Sequence, residues 1–177
     1  MKPSTLLAVA AAFVAGAFAG AAGADALARP GRAAGPSQYT DGTYNFSLVP
    51  PAFAKAEKGA AHTVATFFAP TRENFAANLV VIVQHLKTTL DEFVENSKGD
   101  LQKLGLKAVV ERKQKVSGRD AVYWEYESAQ QRRPLKVFSL AVLDGERLFI
   151  VNGTSLASDA EVQTQFRASV DSFRLAD

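Results

Sequence analysis

Two histidines, His62 and His85, and no cysteine set the limits on the chemistry available to this chain. Without Cys there is no disulfide, no thiolate metal site, no Cys nucleophile and no lipid carried on a Cys near the N-terminus. His62 precedes the apolar run "TVATFFAP" and His85 ends the run "NLVVIVQH". Paired strands would bring the imidazoles together, and one carboxylate could then complete a weak metal site. No ligand spacing supports that site, and two unrelated strand-end histidines are the simpler account. No metal and no cofactor is expected. Ser117, His85 and Asp120 have the residue types of a nucleophile, a base and its orienting acid. Nothing supplies a nucleophile elbow or an oxyanion hole around them, so they read as ordinary turn residues. Asp91, Glu92 and Glu95 form an acidic cluster; as an acid/base pair they would need burial to split their pKa values, and a solvated helix face explains them. No Gly-rich run opens a helix with Lys-Ser or Lys-Thr, so no phosphate loop is present.

Two groups point to binding. Arg112, Lys113, Lys115 and Arg119 gather near one hairpin, and Arg132, Arg133 and Lys136 gather at the start of the next. If the hairpins are neighbours, these residues form a patch for an acidic partner or anionic headgroups. The competing account is a strand edge kept soluble by charge. Tyr123, Trp124 and Tyr126 are the second group. Trp124 and Tyr126 share a core-facing side with Val122, whereas Tyr123 lies opposite, with Glu125 and Glu127. Tyr123 could line a groove for a ligand, or pack beneath a helix. The net charge of +2 is too small to expect nucleic-acid binding.

These side chains need a scaffold, and periodicity supplies its elements. Tyr44, Phe46 and Leu48 alternate with polar residues and stop at Pro50-Pro51, which predicts a short first strand at a sheet edge. Residues 62–70 form a second strand, ended by Pro70. Residues 78–86 form the strongest, with Leu79, Val81 and Val83 on one face and Val80 and Ile82 on the other, so both faces must be covered. Over 88–105 the period changes to helical, with Leu90, Phe93, Val94, Leu101 and Leu104 on one stripe. Thr89 and Glu92 make a capping box there, and Gly105 suits the stop; Gly99 marks a point where the helix could break. Two hairpins follow, turning at Ser117-Gly118 and at Asp144-Gly145. A terminal helix starts at a second capping box, Ser158 with Glu161, and buries Val162, Phe166, Val170 and Phe173. The order is β-β-β-α-β-β-β-β-α. It predicts an α+β fold: an α/β/α sandwich with a mostly antiparallel central sheet and helices on both faces.

The first 28 residues read as an address. Lys2 is followed by an uncharged Ala- and Gly-rich run from Leu6 to Ala24, then by the small-residue sites Ala22-Gly23-Ala24 and Ala26-Leu27-Ala28. That layout predicts a secretory signal peptide over residues 1–28. An uncleaved membrane anchor is the other reading, but Ala and Gly gain little from lipid. Residues 29–38, "RPGRAAGPSQ", predict a flexible linker, and the folded domain spans 39–177.

The stretches "YNFSLVPPAF", "FAANLVVIVQHLKTTLDEFVENSKGDLQKL", "VSGRDAVYWEYE", the hairpin through Asp144-Gly145 and the closing "FRASVDSFRL" occur in an order that resembles the PsbP-like superfamily (PsbP and the DcrB-like envelope proteins). The resemblance covers about residues 39 to 175. It implies an α/β/α sandwich outside the bacterial cytoplasm, in a superfamily whose members mostly bind, dock or assist assembly. Many bacterial relatives are lipoproteins; this chain lacks their Cys, which favours a soluble periplasmic or secreted form.

The expected function is therefore a non-catalytic binding or accessory protein of the cell envelope, holding a protein, peptide or lipid-like ligand. It would meet the membrane only through an uncleaved signal or the basic patch. The alternatives are a hydrolase with an unrecognised site and, in a photosynthetic organism, a photosystem II accessory subunit.

Overall fold

The computed structural model describes residues 37–52, 55–57, 63–103, 105–128 and 134–176. The signal-peptide reading and all but the end of the linker lie outside them, as do His62, Leu104, Arg132 and Arg133. In chain order the elements are β1 (Tyr39–Asp41), β2 (Phe46–Leu48), β3 (Lys55–Glu57), β4 (Ala65–Phe68), β5 (Asn78–His85), α1 (Leu90–Lys103), β6 (Leu106–Val116), β7 (Arg119–Ser128), β8 (Leu135–Asp144), β9 (Arg147–Leu156), α2 (Ala160–Asp171) and β10 (Arg174–Leu175). The described pairs are all antiparallel. Seven strands form one sheet in the order β3-β4-β5-β9-β8-β7-β6, and β1-β2-β10 form a small second one. The fold is α+β with mostly antiparallel sheets. Among the described residues no helix is long and apolar enough to cross a membrane.

Three strands were not legible from periodicity: β1, β3 and β10. At two or three residues each, they are too short to show it. One of them overturns an expectation. β2 is not an edge strand, because β1 and β10 flank it on both sides. Pro50 and Pro51 lie past its last residue, Leu48, so they remove no ladder donor and do not bar a central position. Asp41 closes the β1–β2 turn, its Oδ1 accepting from the Thr43 and Tyr44 amides at 2.9 and 2.8 Å.

The large sheet sorts its side chains by the period of two. Phe149 and Val151 of β9, with Phe138, Leu140 and Val142 of β8, pack with Val162, Phe166 and Val170 of α2 and with Phe46 and Leu48 of β2. The alternate residues Leu148 and Ile150, with Val137 and Ala141, pack with Val122, Trp124 and Tyr126 of β7 and with Phe93, Val94 and Leu101 of α1. Phe173 lies beyond the α2 C-cap, Ser172, but joins the first cluster.

Local chemistry starts and stops the helices. Thr89 Oγ1 accepts from the Glu92 amide at 3.2 Å, and Glu92 Oε2 accepts from the Thr89 amide at 3.0 Å, closing the predicted capping box. α1 runs unbroken through Gly99. The second capping box does not form. Asp159, one residue later, is the N-cap of α2, its Oδ1 accepting from the Val162 amide at 3.3 Å. An Asp at this position competes well with Ser and adds negative charge at the positive end of the helix.

Gly153 in β9 is required by packing. A Cβ built there would lie 2.9 Å from Phe166 Cδ2, and the Phe166 ring is fully buried. Gly153→Ala is therefore expected to lower unfolding free energy by about 1–3 kcal/mol, read from the urea midpoint.

Candidate functional site

The predicted basic cluster splits when it is folded. β6 is the last strand of the large sheet and is mostly exposed along its length. Its side chains alternate between the two sheet faces. Lys113 turns toward α1, where its Nζ meets Asp91 Oδ1 at 2.7 Å. Arg112 turns the other way, its guanidinium 5.0 Å from the Tyr123 ring centroid and 3.8 Å from Asp171. Lys115 pairs across the hairpin with Asp120 at 2.6 Å. Arg119 lies 3.4 Å from Asp144 and donates to the Ser117 carbonyl at 2.7 Å. Lys136 approaches Glu125 at 3.4 Å and Glu127 at 3.2 Å. Each of these five cations has a carboxylate neighbour, and they do not share one face.

The other chemical candidates also separate. His85 pairs in register with Arg147 of β9, and three strand spacings (roughly 14 Å) lie between β5 and β7, which carries Asp120. The Ser117–His85–Asp120 assembly is not formed. Ser117 Oγ instead accepts from the Leu175 amide at 3.0 Å, fastening β10 to the β6–β7 turn. Ser117 and Gly118 both have positive φ, 48° and 76°, as a tight two-residue hairpin requires. Asp91, Glu92 and Glu95 go to separate partners: Lys113, the Thr89 cap and Lys98. Among the described residues no three metal-ligating side chains converge.

Sequence reasoning missed a polar network under α2. Glu125, on the same strand face as Tyr123, is 7% exposed. Its Oε1 accepts from the Tyr123 hydroxyl and from Arg167 Nε, both at 2.8 Å, and its Oε2 accepts from Arg167 Nη2 at 3.0 Å. The Arg167 hydrogen bonds hold the carboxyl at a pKa of about 2 against the opposing effect of burial, with Tyr123 and Lys136 assisting. Burial, followed by the Glu125 bond and charge, drives the Tyr123 phenol far above its ordinary value. Tyr123 is thus packed under α2, with Arg112 across its ring, and does not line an open groove. The only hint in the sequence is the Tyr–x–Glu spacing, which puts both side chains on one face of a strand.

A groove does exist, on the α1 side. The β6–β7 register shifts between Ala108 and Val110, a β-bulge that turns the edge strand beside the end of α1. The opening has a volume of about 510 Å³ and is lined by Lys98, Leu101 and Gln102 of α1, by Gly105, by Leu106, Lys107 and Ala108 of β6 and by Tyr126 of β7. This volume lies in the range of small-molecule sites. Val109 and Val110, at the bulge, are the exposed large hydrophobic residues among those described, 44% and 39% exposed. Tyr126 is 2% exposed, and its hydroxyl has no hydrogen-bond partner among the described residues; the same holds for Trp124 Nε1. Burial raises the Tyr126 phenol pKa strongly, and the Glu111 charge raises it further. Lys98 is held between Glu95 and Glu111, each at 3.2 Å. Leu101, Leu106 and Ala108, beside Lys98, Gln102 and Lys107, suit retention of a partly apolar molecule; no pair of groups here is placed for acid/base or nucleophilic work.

No protein-family model matches the chain, and no curated protein matches it in sequence. Solved structures do match in shape. LpqN, involved in cell envelope biogenesis of Mycobacterium tuberculosis, superposes with a TM-score of 0.64 at 11% identity, covering 80% of this chain and 90% of that one. Cyanobacterial PsbP (CyanoP) from Synechocystis sp. PCC 6803 gives 0.60 at 14% identity, covering 85% of this chain and 99% of that one. A protein of unknown function from Pseudomonas aeruginosa, PA94, gives 0.52 at 15% identity, covering 72% and 88%. At these identities the likeness speaks for architecture. With its antiparallel seven-stranded sheet, its two helices and nearly full-length overlap with CyanoP, the chain has the PsbP-like fold.

Proposed function

We propose that this protein is a non-catalytic binding or accessory protein of the cell envelope, working outside the cytoplasm and holding a peptide or lipid-like ligand in the groove between α1 and β6. In this reading the domain is an α/β/α sandwich. The two apolar clusters, which use alternate residues of β8 and β9, support that layering. The envelope role of LpqN and the signal-like layout of residues 1–28 support the location. The observation that carries the reading is the groove itself: an opening of about 510 Å³ with Leu101, Leu106 and Ala108 in its wall, beside a bulged edge strand.

Ala108→Trp tests it, because the indole fills the groove from an exposed position of the edge strand. Native mass spectrometry of protein recovered from its own envelope is expected to show a bound peptide or amphiphile on the wild type and none on Ala108→Trp, with thermal unfolding unchanged. Equal retention by the filled variant, or turnover of ester, phosphate or glycoside substrates by the purified protein, overturns the proposal.

A further inference from the structure

We infer a second binding site, apart from the groove: the pocket where the end of β6 meets α2 and β10 takes a phosphate monoester, whose phosphoryl oxygens are gripped by the Arg112 and Arg174 guanidinia. The pocket has a volume of about 460 Å³, and its polar lining comprises Arg112, Gln114 and Lys115 of β6, Ser117 of the turn, Asp171 of α2 and Arg174 of β10. It opens at the edge of the large sheet, where residues from both faces of β6 contribute. The groove lies at the other end of the same strand, by Leu106 and Ala108.

Both guanidinia are held in place by the protein itself. Arg112 Nε donates to Gln114 Oε1 at 3.0 Å, and its Cζ lies 5.0 Å from the Tyr123 ring centroid. Arg174 Nη1 donates to the Asp171 and Phe173 carbonyls at 2.8 and 2.7 Å. The strand that carries Arg174 is fastened on two sides, by the Leu175 amide to Ser117 Oγ at 3.0 Å and by the Ala176 amide to the Asn45 carbonyl at 2.9 Å. The two side chains meet around one residue: Arg112 Nη2 is 3.8 Å from Asp171 Oδ1, and Arg174 binds the carbonyl of the same Asp171. A guanidinium has more N–H groups than these bonds use. Both Nη atoms of Arg112, and Nε and Nη2 of Arg174, have no hydrogen-bond acceptor among the described residues. Both side chains are exposed, so a ligand can reach them.

Charge selects the ligand. Lys115 is already paired with Asp120 at 2.6 Å and is counted as neutral. That leaves two guanidinia against the single carboxylate of Asp171. The Arg112–Asp171 approach is too long for a hydrogen bond, and the two side chains are 55% and 59% exposed, so solvent screens it and an incoming anion can replace it. A carboxylate ligand has oxygens for one planar guanidinium fork, whereas a phosphoryl group presents three strong acceptors and can meet both. Because the pocket is at an open edge, the rest of the ligand stays in water. The phosphoryl group can therefore come from a soluble monoester or from a lipid headgroup.

The full chain is titrated at low salt with glycerol 3-phosphate and with acetate, and is sedimented with phosphatidylcholine vesicles carrying either phosphatidic acid or phosphatidylglycerol. Glycerol 3-phosphate is expected to bind saturably, and acetate about tenfold more weakly. Phosphatidic acid, a monoester, should retain the chain better than phosphatidylglycerol, a diester, if a lipid headgroup is the source; binding of glycerol 3-phosphate without that preference identifies a soluble ligand. Arg112→Gln and Arg174→Gln are each expected to weaken binding about tenfold, the equivalent of one charge-assisted hydrogen bond. Arg112→Lys, which keeps the charge and loses the fork, should weaken it several-fold. Asp171→Asn removes the competing carboxylate and should tighten binding several-fold, a gain that misfolding cannot produce. The inference is overturned if neither glycerol 3-phosphate nor the phosphatidic acid vesicles bind, or if acetate binds as tightly as glycerol 3-phosphate. It is also overturned if the two Arg→Gln variants bind as the wild type does, or if Asp171→Asn binds no more tightly. Such a failure leaves the function proposed above untouched, because the groove lies at the opposite end of β6 and shares no residue with this pocket.

Discussion

Glu125→Ala is expected to lower unfolding free energy by about 3–5 kcal/mol. The carboxylate is buried and accepts from Tyr123 and twice from Arg167, with Lys136 nearby. Removing it leaves the Tyr123 hydroxyl without its acceptor and the Arg167 guanidinium without its counter-charge, Lys136 keeping Glu127 at 3.2 Å, while replacing a whole buried set by apolar side chains often costs little. Tyr123→Phe, Glu125→Leu and Arg167→Met combined should therefore be less destabilising than Glu125→Ala alone, as read from urea midpoints. The same carboxylate gives the fold an acid dependence. Its pKa is lowered on folding, from 4.5 to about 2. Its stabilisation is then complete above the unfolded value and is lost as pH falls from about 4.5 through about 2, to the extent of about 3 kcal/mol. Between pH 7 and pH 2 the stability gap between wild type and Glu125→Gln should close. A gap that persists at pH 2 would show that the charge is not what the site uses.

Phe173→Ala is expected to cost about 3–5 kcal/mol, as for other large aromatics removed from a filled core. Phe173 is fully buried, with ring centroids 5.5 Å from Phe46 and 6.0 Å from Phe149. It joins three parts of the fold: β2 of the small sheet, β9 of the large one and the end of α2. Its loss also loosens β10, held otherwise by the Leu175 amide bond to Ser117 and by pairing with β2. Hydrogen exchange should show β2 losing protection before β8 and β9, in addition to the lower denaturation midpoint. Equal loss across all strands would contradict this division of the core.

Much of this architecture could be read along the chain because its cause is local. Alternation at Leu79–Val83 gave that strand and its two apolar faces, and Thr89 with Glu92 gave the start of α1. The Ser117-Gly118 turn was legible for the same reason: the conformations it needs belong to those two residues. The quoted segments, taken in order, also pointed to the PsbP-like fold that the comparison with CyanoP supports.

What lay beyond reach depends on partners distant in the chain. β5 pairs with β9, about seventy residues later, and no local period encodes that choice. Glu125 has the same alternation as a solvent-facing residue; α2 buries it by bringing Arg167, 42 residues away, to its carboxylate. β2 turned out central because a two-residue strand at the other end of the chain closes its free side. The basic residues of β6 could be counted but not judged, since their neutralising carboxylates come from α1, from β7 and from the end of α2. The groove is the clearest case. Tyr126 is read from sequence as one more core aromatic, and only the bulge at Ala108 and the end of α1 place it in the wall of an opening. Side-chain period is a property of the strand alone, whereas burial, charge balance and cavities are properties of whatever is folded against it.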